Sequence, residues 1–186
     1  MIRRPFRRSI CTIMSQFQVK SDIQSLRIRR MQEKDLEQVQ AIDRLSFSLP
    51  WPAKAYRYEL TENPNSLQWV AEVTDPFPYV VGVIVVWLIL DEAHIATIAV
   101  HPDYRGQGIA QEILAAALID AIQSGANQAT LEVRAGNHIA QKLYFRFGFE
   151  IAGSRPHYYK DNHEDALIMT AKHLDLEYLE RLKQTN

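Results

Sequence analysis

The stretch IATIAVHPDYRGQGIAQEIL, residues 95–114, most narrows what this chain can fold into. It begins as an apolar strand and ends in apolar residues that recur at helical spacing. Between the two, Gly106 and Gly108 let the backbone turn sharply and bring its N–H groups close to a ligand. A helix that begins after such a loop has several unpaired N–H groups and about half a positive charge at its N-terminus. The sequence therefore predicts a strand–loop–helix unit that can hold a phosphate or pyrophosphate, with Arg105 adding a full charge.

Two familiar nucleotide-binding loops do not fit this stretch. A dinucleotide fingerprint needs a third glycine at the sixth position, where this chain has Gln111. A Walker loop needs Gly-Lys followed by Ser or Thr, and the chain has none. From the loop alone, an ordinary glycine turn before a helix stays an open alternative.

Strand and helix signals alternate through the rest of the chain from Ser25 onward. This pattern predicts one mixed α/β domain with a central six- to seven-stranded sheet and about four helices. We expect residues 1–24 to form a basic extension, residues 25–172 the domain, and residues 173–186 a tail with a last helix near 174–183.

Composition excludes several other classes of protein. With 47% hydrophobic and 23% charged residues, the chain is neither disordered nor collagen-like. The apolar run Tyr79–Leu90 suits a strand covered on both faces, because a membrane-spanning helix needs roughly 20 residues. The lone Cys11 permits no internal disulfide and indicates a reducing compartment. No HExxH or zinc-type spacing occurs, so no metal is expected.

Charge is divided unevenly along the chain. Residues 1–30 carry a net charge of +7, and the remainder carries −8. An acidic body is a poor partner for nucleic acid but attracts cationic substrates. The arginine-rich start resembles an organelle transit segment, although a disordered tail or a true start at Met14 would explain it too. We expect the cytoplasm as the location, with an organelle as the alternative.

Several ordered motifs together resemble a known family. Arg105–Ala110 fits the pattern (Q/R)xxGx(G/A), and further motifs follow in LEVRAGN (131–137), LYFRFGFE (143–150), HYYKDNHEDALIM (157–169) and Pro50-Trp51. They resemble the GCN5-related N-acetyltransferases (GNAT), in particular the RimI type, over about residues 25–172. The resemblance implies a GNAT fold, acetyl-CoA as donor, no metal, and direct transfer to the N-terminal alanine of a small-subunit ribosomal protein. A monomer is expected.

The resemblance also implies two catalytic residues. Glu132 lies on a predicted strand with Leu131 and Val133 facing the other way, and it would act as general base. Taken alone, it could equally be a solvated or salt-bridged residue, for example with Arg134. Tyr144 would be the general acid that protonates the coenzyme thiolate, and without the resemblance it would be a core aromatic residue.

The remaining implied contacts concern the coenzyme and the acceptor. The backbone of Ile98, Ala99 and Val100 would hold the acetyl and pantetheine groups, and the pyrophosphate would meet the loop residues Arg105, Gly106, Gln107, Gly108, Ile109, Ala110 and Gln111. Asn137 would contact the coenzyme, cap the following helix, or do both.

The acceptor groove is implied at Trp51, Tyr158 and Tyr159, which could instead pack as a hydrophobic lid. Glu164 and Asp165 would order the Tyr159 loop or lie on the surface. Two other functions stay open: acetylation of lysine side chains or small amines, and a catalytically silent module that binds acyl-CoA. Because both Glu132 and Tyr144 are present, the sequence favours an enzyme.

Overall fold

A computed structural model of the chain describes residues 25–175 and 177–178. This part contains seven strands and four α-helices, in agreement with the predicted mixed α/β class. In chain order they are β1 (Leu26–Arg30), α1 (Leu36–Ser46), α2 (Ala55–Thr61), β2 (Ser66–Val73), β3 (Tyr79–Ile89), β4 (Glu92–Val100), α3 (Ile109–Gln123), β5 (Gln128–Arg134), α4 (His138–Arg146), β6 (Glu150–Arg155) and β7 (Ala166–Lys172).

The strands form one sheet in the order β1-β2-β3-β4-β5-β7-β6. All neighbours are antiparallel except β4 and β5. The parallel pairing of β4 with β5 ends at Ile95 and Leu131, although β4 continues to Val100 and β5 to Arg134. A gap therefore opens in the middle of the sheet, between the last residues of these two strands.

Both faces of the sheet are covered, as the long apolar run predicts. Along β3, Val81, Ile84 and Val86 belong to a core on the α3 side. Their neighbours Val83 and Val85 belong to a second core with α1 and α2. Since side chains alternate across a strand, a strand buried on both faces needs a continuous apolar sequence.

Helix α3 lies against β2, β3 and β4 and is apolar almost all round. Such a helix is buried in the core. It begins after Gly108, whose φ is +79°, and its C-terminal turn closes at Gly125 with a φ of +105°. Glycine adopts such a left-handed conformation without strain and is therefore a common residue at the end of a helix.

The segment after β7 returns to the core, where Leu174 and Tyr178 are buried. The Tyr178 hydroxyl donates a hydrogen bond to the carbonyl oxygen of Phe147. The predicted basic extension (1–24) and most of the predicted last helix lie outside the described residues, so the domain boundaries stay predictions. Within the described part, no helix is long and apolar enough to cross a membrane.

Candidate active site

The glycine loop presents a row of backbone amides at the start of α3. Gly106 and Gly108 both have positive φ angles, +78° and +79°, which glycine adopts without strain. Within the described chain, the N–H groups of residues 106–110 have no hydrogen-bond acceptor. Unpaired amides beside a helix N-terminus form a binding site for an anionic group. The loop therefore fits the pyrophosphate of a coenzyme.

Arg105 is held beside this loop by two hydrogen bonds. Its Nε donates to the Val100 carbonyl oxygen at 3.0 Å, and one terminal nitrogen donates to the Ser46 hydroxyl at 3.1 Å. These two hydrogen bonds link the end of β4 to the end of α1. A contact of Arg105 with a ligand stays a prediction.

The edge of β4 faces the gap with backbone groups that β5 does not pair. The His101 amide donates to the Val81 carbonyl oxygen at 2.8 Å, on the β3 side. Because antiparallel backbone groups alternate in direction, Ala99 also points to β3, whereas Ile98 and Val100 point into the gap. Two of the three residues predicted to hold the acetyl and pantetheine groups thus have backbone groups that face the gap.

Glu132 lies on β5 just past the end of the parallel pairing, on the face opposite Leu131 and Val133. Its side chain is 13% exposed and lies between two basic groups. Its Oε1 is 3.1 Å from an Arg155 nitrogen, and its Oε2 is 3.4 Å from His94 Nε2. The inward orientation agrees with the strand alternation in the sequence.

The suggested pairing of Glu132 with Arg134 is wrong. Arg134 forms ion pairs with Asp161 at 2.7 Å and Glu164 at 3.1 Å instead. Its guanidinium also lies 3.8 Å from the centre of the Tyr159 ring. Arg134 therefore orders the β6–β7 loop, because its planar group can stack on a ring and bridge two carboxylates at once.

Sequence reasoning missed His94 and Arg155, the two partners of Glu132. The Trp87 ring stacks on the His94 ring with centroids 5.6 Å apart, and Arg155 reaches across β7 from β6. A histidine within the apolar strand β4 was a visible signal. Its contact with Glu132, however, depends on the β4–β5 register, which no local pattern reveals.

Tyr144 lies on α4 within the core on the α3 side and is 5% exposed. Its ring is 5.8 Å from that of Phe149. Burial above all, and to a smaller extent Tyr159, raises the pKa of Tyr144 above that of an ordinary phenol. The hydroxyl therefore keeps its proton at neutral pH. It forms no hydrogen bond with a residue of the described chain. The prediction of a core aromatic residue is confirmed, and a proton-donating role is compatible with it.

Asn137 precedes α4 and caps it. Its side-chain oxygen accepts a hydrogen bond from the Ala140 amide at 3.1 Å. The capping alternative is confirmed, and the coenzyme contact of Asn137 stays a prediction.

The predicted acceptor residues lie in two loops that touch each other. In the α1–α2 loop, Trp51 stacks on Trp87 with ring centroids 6.2 Å apart. In the β6–β7 loop, Tyr158 and Tyr159 pack edge to face at 5.2 Å. The Ser48 hydroxyl donates to Asp161 and thereby joins the two loops.

Glu164 and Asp165 order the Tyr159 loop, as the sequence suggests. The Glu164 carboxylate accepts a hydrogen bond from the Gly136 amide at 2.7 Å, and its carbonyl oxygen accepts one from the Tyr159 amide at 3.1 Å. Asp165 accepts from the His157 amide at 2.9 Å. Burial is the largest of the effects that raise the pKa of Tyr159 to about 12. No cluster of three or more metal-ligating side chains occurs in the described residues.

Comparison with known proteins shows the family. The sequence profile of the acetyltransferase (GNAT) family matches residues 36–149. A Bacillus subtilis (strain 168) protein, provisionally named a ribosomal protein bS18-alanine N-acetyltransferase, is 38% identical over 142 residues. This match covers 76% of the chain and 92% of the relative.

Two solved structures illustrate the similarity of the fold. The ribosomal-protein-S18-alanine N-acetyltransferase from Escherichia coli superposes with a TM-score of 0.72 at 29% identity, covering 80% of this chain and 94% of that one. Arabidopsis thaliana Naa50, bound to the bisubstrate analogue CoA-Ac-MVNAL, gives a TM-score of 0.67 at 25% identity, covering 80% and 99%. The chain therefore belongs to the GNAT family and is an N-acetyltransferase.

Proposed function

We propose that this chain transfers an acetyl group directly from acetyl-CoA to the α-amine of an N-terminal alanine on a small-subunit ribosomal protein. One observation carries the proposal. Glu132 lies on β5 where its pairing with β4 has ended, on the sheet face opposite the core that contains Tyr144, and the amides of residues 106–110 have no hydrogen-bond acceptor among the described residues.

The donor site consists mainly of backbone groups. The amides of residues 106–110 would hold the pyrophosphate, and the gap-facing groups of Ile98 and Val100 would hold the pantetheine arm and the acetyl carbonyl. Asn137 and Arg105 would add side-chain contacts at the rim. Acetyl-CoA, when bound, supplies the activated acetyl group. Amide dipoles held in place by secondary structure stabilise charge that develops on a carbonyl oxygen.

Glu132 would remove the proton that keeps the acceptor amine from reacting. An α-amino group has a reference pKa of about 8 and is mostly an ammonium ion at neutral pH. The Glu132 carboxylate is 13% exposed and close enough to Tyr159 to interact with it electrostatically, so it can take this proton directly or through one water molecule.

Tyr144 would act as the general acid that protonates the thiolate of the departing coenzyme. The raised pKa of its hydroxyl keeps it protonated throughout the physiological range. A group that remains protonated can donate to a thiolate once that thiolate forms beside it. No cysteine lies among the described residues, and the lone Cys11 belongs to the N-terminal extension, so direct transfer is favoured over an acyl-enzyme route.

The acceptor side favours a basic peptide. Trp51, Tyr158 and Tyr159 would line the acceptor groove, and the chain beyond residue 30 carries a net charge of −8. Ribosomal proteins have basic N-termini, and two of the similar proteins are named as acetylating the alanine of ribosomal protein S18. We infer a cytoplasmic monomer that needs no metal and no direct contact with nucleic acid.

The test is an assay with two arginine-rich peptides. One begins with alanine and lacks lysine, while the other has a blocked α-amine and contains a lysine. We expect mass spectrometry to find acetyl only on the alanine of the first peptide. Acetylation of the blocked peptide alone would assign the enzyme to lysine side chains. Binding of acetyl-CoA without transfer to either peptide or to small amines would identify a silent module.

A further inference from the structure

A line of hydrogen-bonding side chains runs along β4 and β5 away from Glu132. His94 Nε2 lies 3.4 Å from Glu132 Oε2, and His94 Nδ1 lies 3.1 Å from the Thr130 hydroxyl. The Thr130 hydroxyl in turn donates to Glu92 Oε1 at 2.6 Å. His94 and Thr130 are direct partners in the parallel register, and Glu92 and Glu132 lie two residues away on the same face.

The ring of His94 is fixed in its plane. Trp87 stacks on it with an angle of 20° between the rings. The Trp87 indole N–H donates to Glu59 at 2.9 Å and is fixed in its turn. The imidazole therefore presents one nitrogen to Thr130 and the other to Glu132.

The direction of these hydrogen bonds sets the tautomer of His94. A threonine hydroxyl has a single hydrogen, and Thr130 uses it toward Glu92. Its oxygen must then accept a hydrogen bond from His94 Nδ1–H. In the neutral imidazole, Nε2 consequently carries a lone pair that points toward the Glu132 carboxylate. A proton taken up by Glu132 therefore has a nitrogen lone pair opposite it that can accept the proton.

We propose that His94 receives the acceptor's proton from Glu132 and so restores Glu132 as a base within each turnover. This inference rests on the proposed function. In the step, an N–H bond of the acceptor ammonium breaks and its electron pair stays on nitrogen. The proton passes through Glu132 to His94 Nε2, while Nδ1–H stays hydrogen-bonded to Thr130. The imidazolium then releases the proton to solvent.

The charges around His94 support this role. Glu132 and Glu92 stabilise an imidazolium from both ends, and Glu59 lies behind Trp87. Arg155, which contacts the other oxygen of Glu132, has a positive charge that disfavours the imidazolium. The Tyr159 ring on the neighbouring loop is neutral. An imidazole is intrinsically more basic than a carboxylate, so it can take the proton on from a carboxyl group.

The first experiment is the pH dependence of kcat for His94→Gln with the acceptor that the wild-type enzyme acetylates. A relay through His94 needs the neutral imidazole, which acid removes, so wild-type kcat should fall as the pH is lowered. The variant should lose about 10- to 100-fold in kcat at pH 8 and show no such fall. If kcat of the variant is lower by the same factor at every pH, so that its pH profile matches the wild type, His94 has only a structural role and the proposal is overturned. Unchanged kcat would also overturn it.

The second experiment reads the tautomer without any turnover. Imidazole ¹⁵N chemical shifts of the full chain, assigned by their disappearance in His94→Gln, should show neutral His94 with its hydrogen on Nδ1. Thr130→Val should lose this preference and lower kcat several-fold, whereas the matched Thr130→Ser should retain both. A hydrogen on Nε2 in the wild type would overturn the proposal. This result is independent of the acceptor's identity, so it is distinguishable from failure of the proposed function.

Discussion

Glu132 is the residue whose surroundings decide most of the chemistry. Arg155 and His94 each contact one of its oxygens, and only 13% of its side chain reaches solvent. An approaching acceptor ammonium competes with Arg155 for the same oxygen. Arg155 is 55% exposed and can move away at low cost.

Replacement of Glu132 by glutamine should lower kcat/KM by about 10²–10⁴, because an amide cannot take a proton. Binding of acetyl-CoA should change little, since the donor site consists of other residues. Calorimetric titration and steady-state kinetics measure the two effects. Glu150→Gln, on the exposed start of β6, is the matched control and should behave as wild type. Full activity in Glu132→Gln would remove the base assignment.

The Tyr144 hydroxyl can be tested separately from its ring. Tyr144→Phe keeps the ring that packs against Phe149. The substitution breaks no hydrogen bond within the described residues, because the Tyr144 hydroxyl forms none there. We expect the melting temperature to stay close to the wild-type value and kcat to fall by about 10². A variant that melts normally and turns over at the wild-type rate would show that the hydroxyl is not the acid.

The sequence revealed those residues that belong to contiguous motifs. Gly106 and Gly108 predict a loop with positive φ angles, and the strand alternation places Glu132 away from the α3 core. His94 and Arg155 could not be predicted in the same way. Their contacts with Glu132 arise because β4 pairs with β5 in parallel and β6 lies beyond β7, which are properties of the strand order.

Among the structural elements, the glycine loop gives a clear test of the donor site. A Cβ on Gly106 would meet no atom within 4 Å, so Gly106→Ala creates no clash within the protein. Its φ of +78° nevertheless costs an alanine about 1–2 kcal/mol. We expect the loop to shift and the Kd for acetyl-CoA to rise about 10-fold, measured by calorimetry. An unchanged Kd would mean that the loop amides do not hold the coenzyme.

Helix α3 carries a carboxyl group whose burial should make stability depend on pH. Burial raises the pKa of Glu112 to about 7 from 4.5. Below pH 4.5 the group is protonated in both the folded and the unfolded chain, so its ionisation does not affect the free energy of unfolding. Between about pH 4.5 and 7 only the unfolded chain ionises, so the free energy of unfolding falls as the pH rises.

Glu112→Gln should therefore stabilise the protein at pH 8 and make no difference near pH 4. A gain of about 1 kcal/mol corresponds to a rise in melting temperature of about 2–4 °C for a chain of this size. Thermal unfolding at the two pH values measures it. A variant that melts below the wild type at pH 8 would show that the favourable interaction of Glu112 with the helix N-terminus exceeds its desolvation cost.

At the scale of the whole molecule, the net charge of −1 conceals a charge separation that concerns the substrate. The predicted basic extension, residues 1–24, carries a net charge of +4, and residues 25–186, which include the described sheet, carry −5. The field of an acidic body raises the rate at which a basic peptide reaches the site, and salt screens this field.

The resulting prediction concerns kcat/KM for an arginine-rich peptide at two ionic strengths. Between about 0.01 M and 0.15 M, the Debye length falls from roughly 30 Å to roughly 8 Å, so steering from charges outside the groove is largely lost. We expect kcat/KM for this peptide to fall by about 10-fold, because steering changes the rate of encounter by 10-fold or more. A peptide with the same N-terminal alanine but glutamines in place of the arginines should show little change. If both peptides respond equally, the effect of salt lies in acetyl-CoA binding, and the acidic body does not select the acceptor.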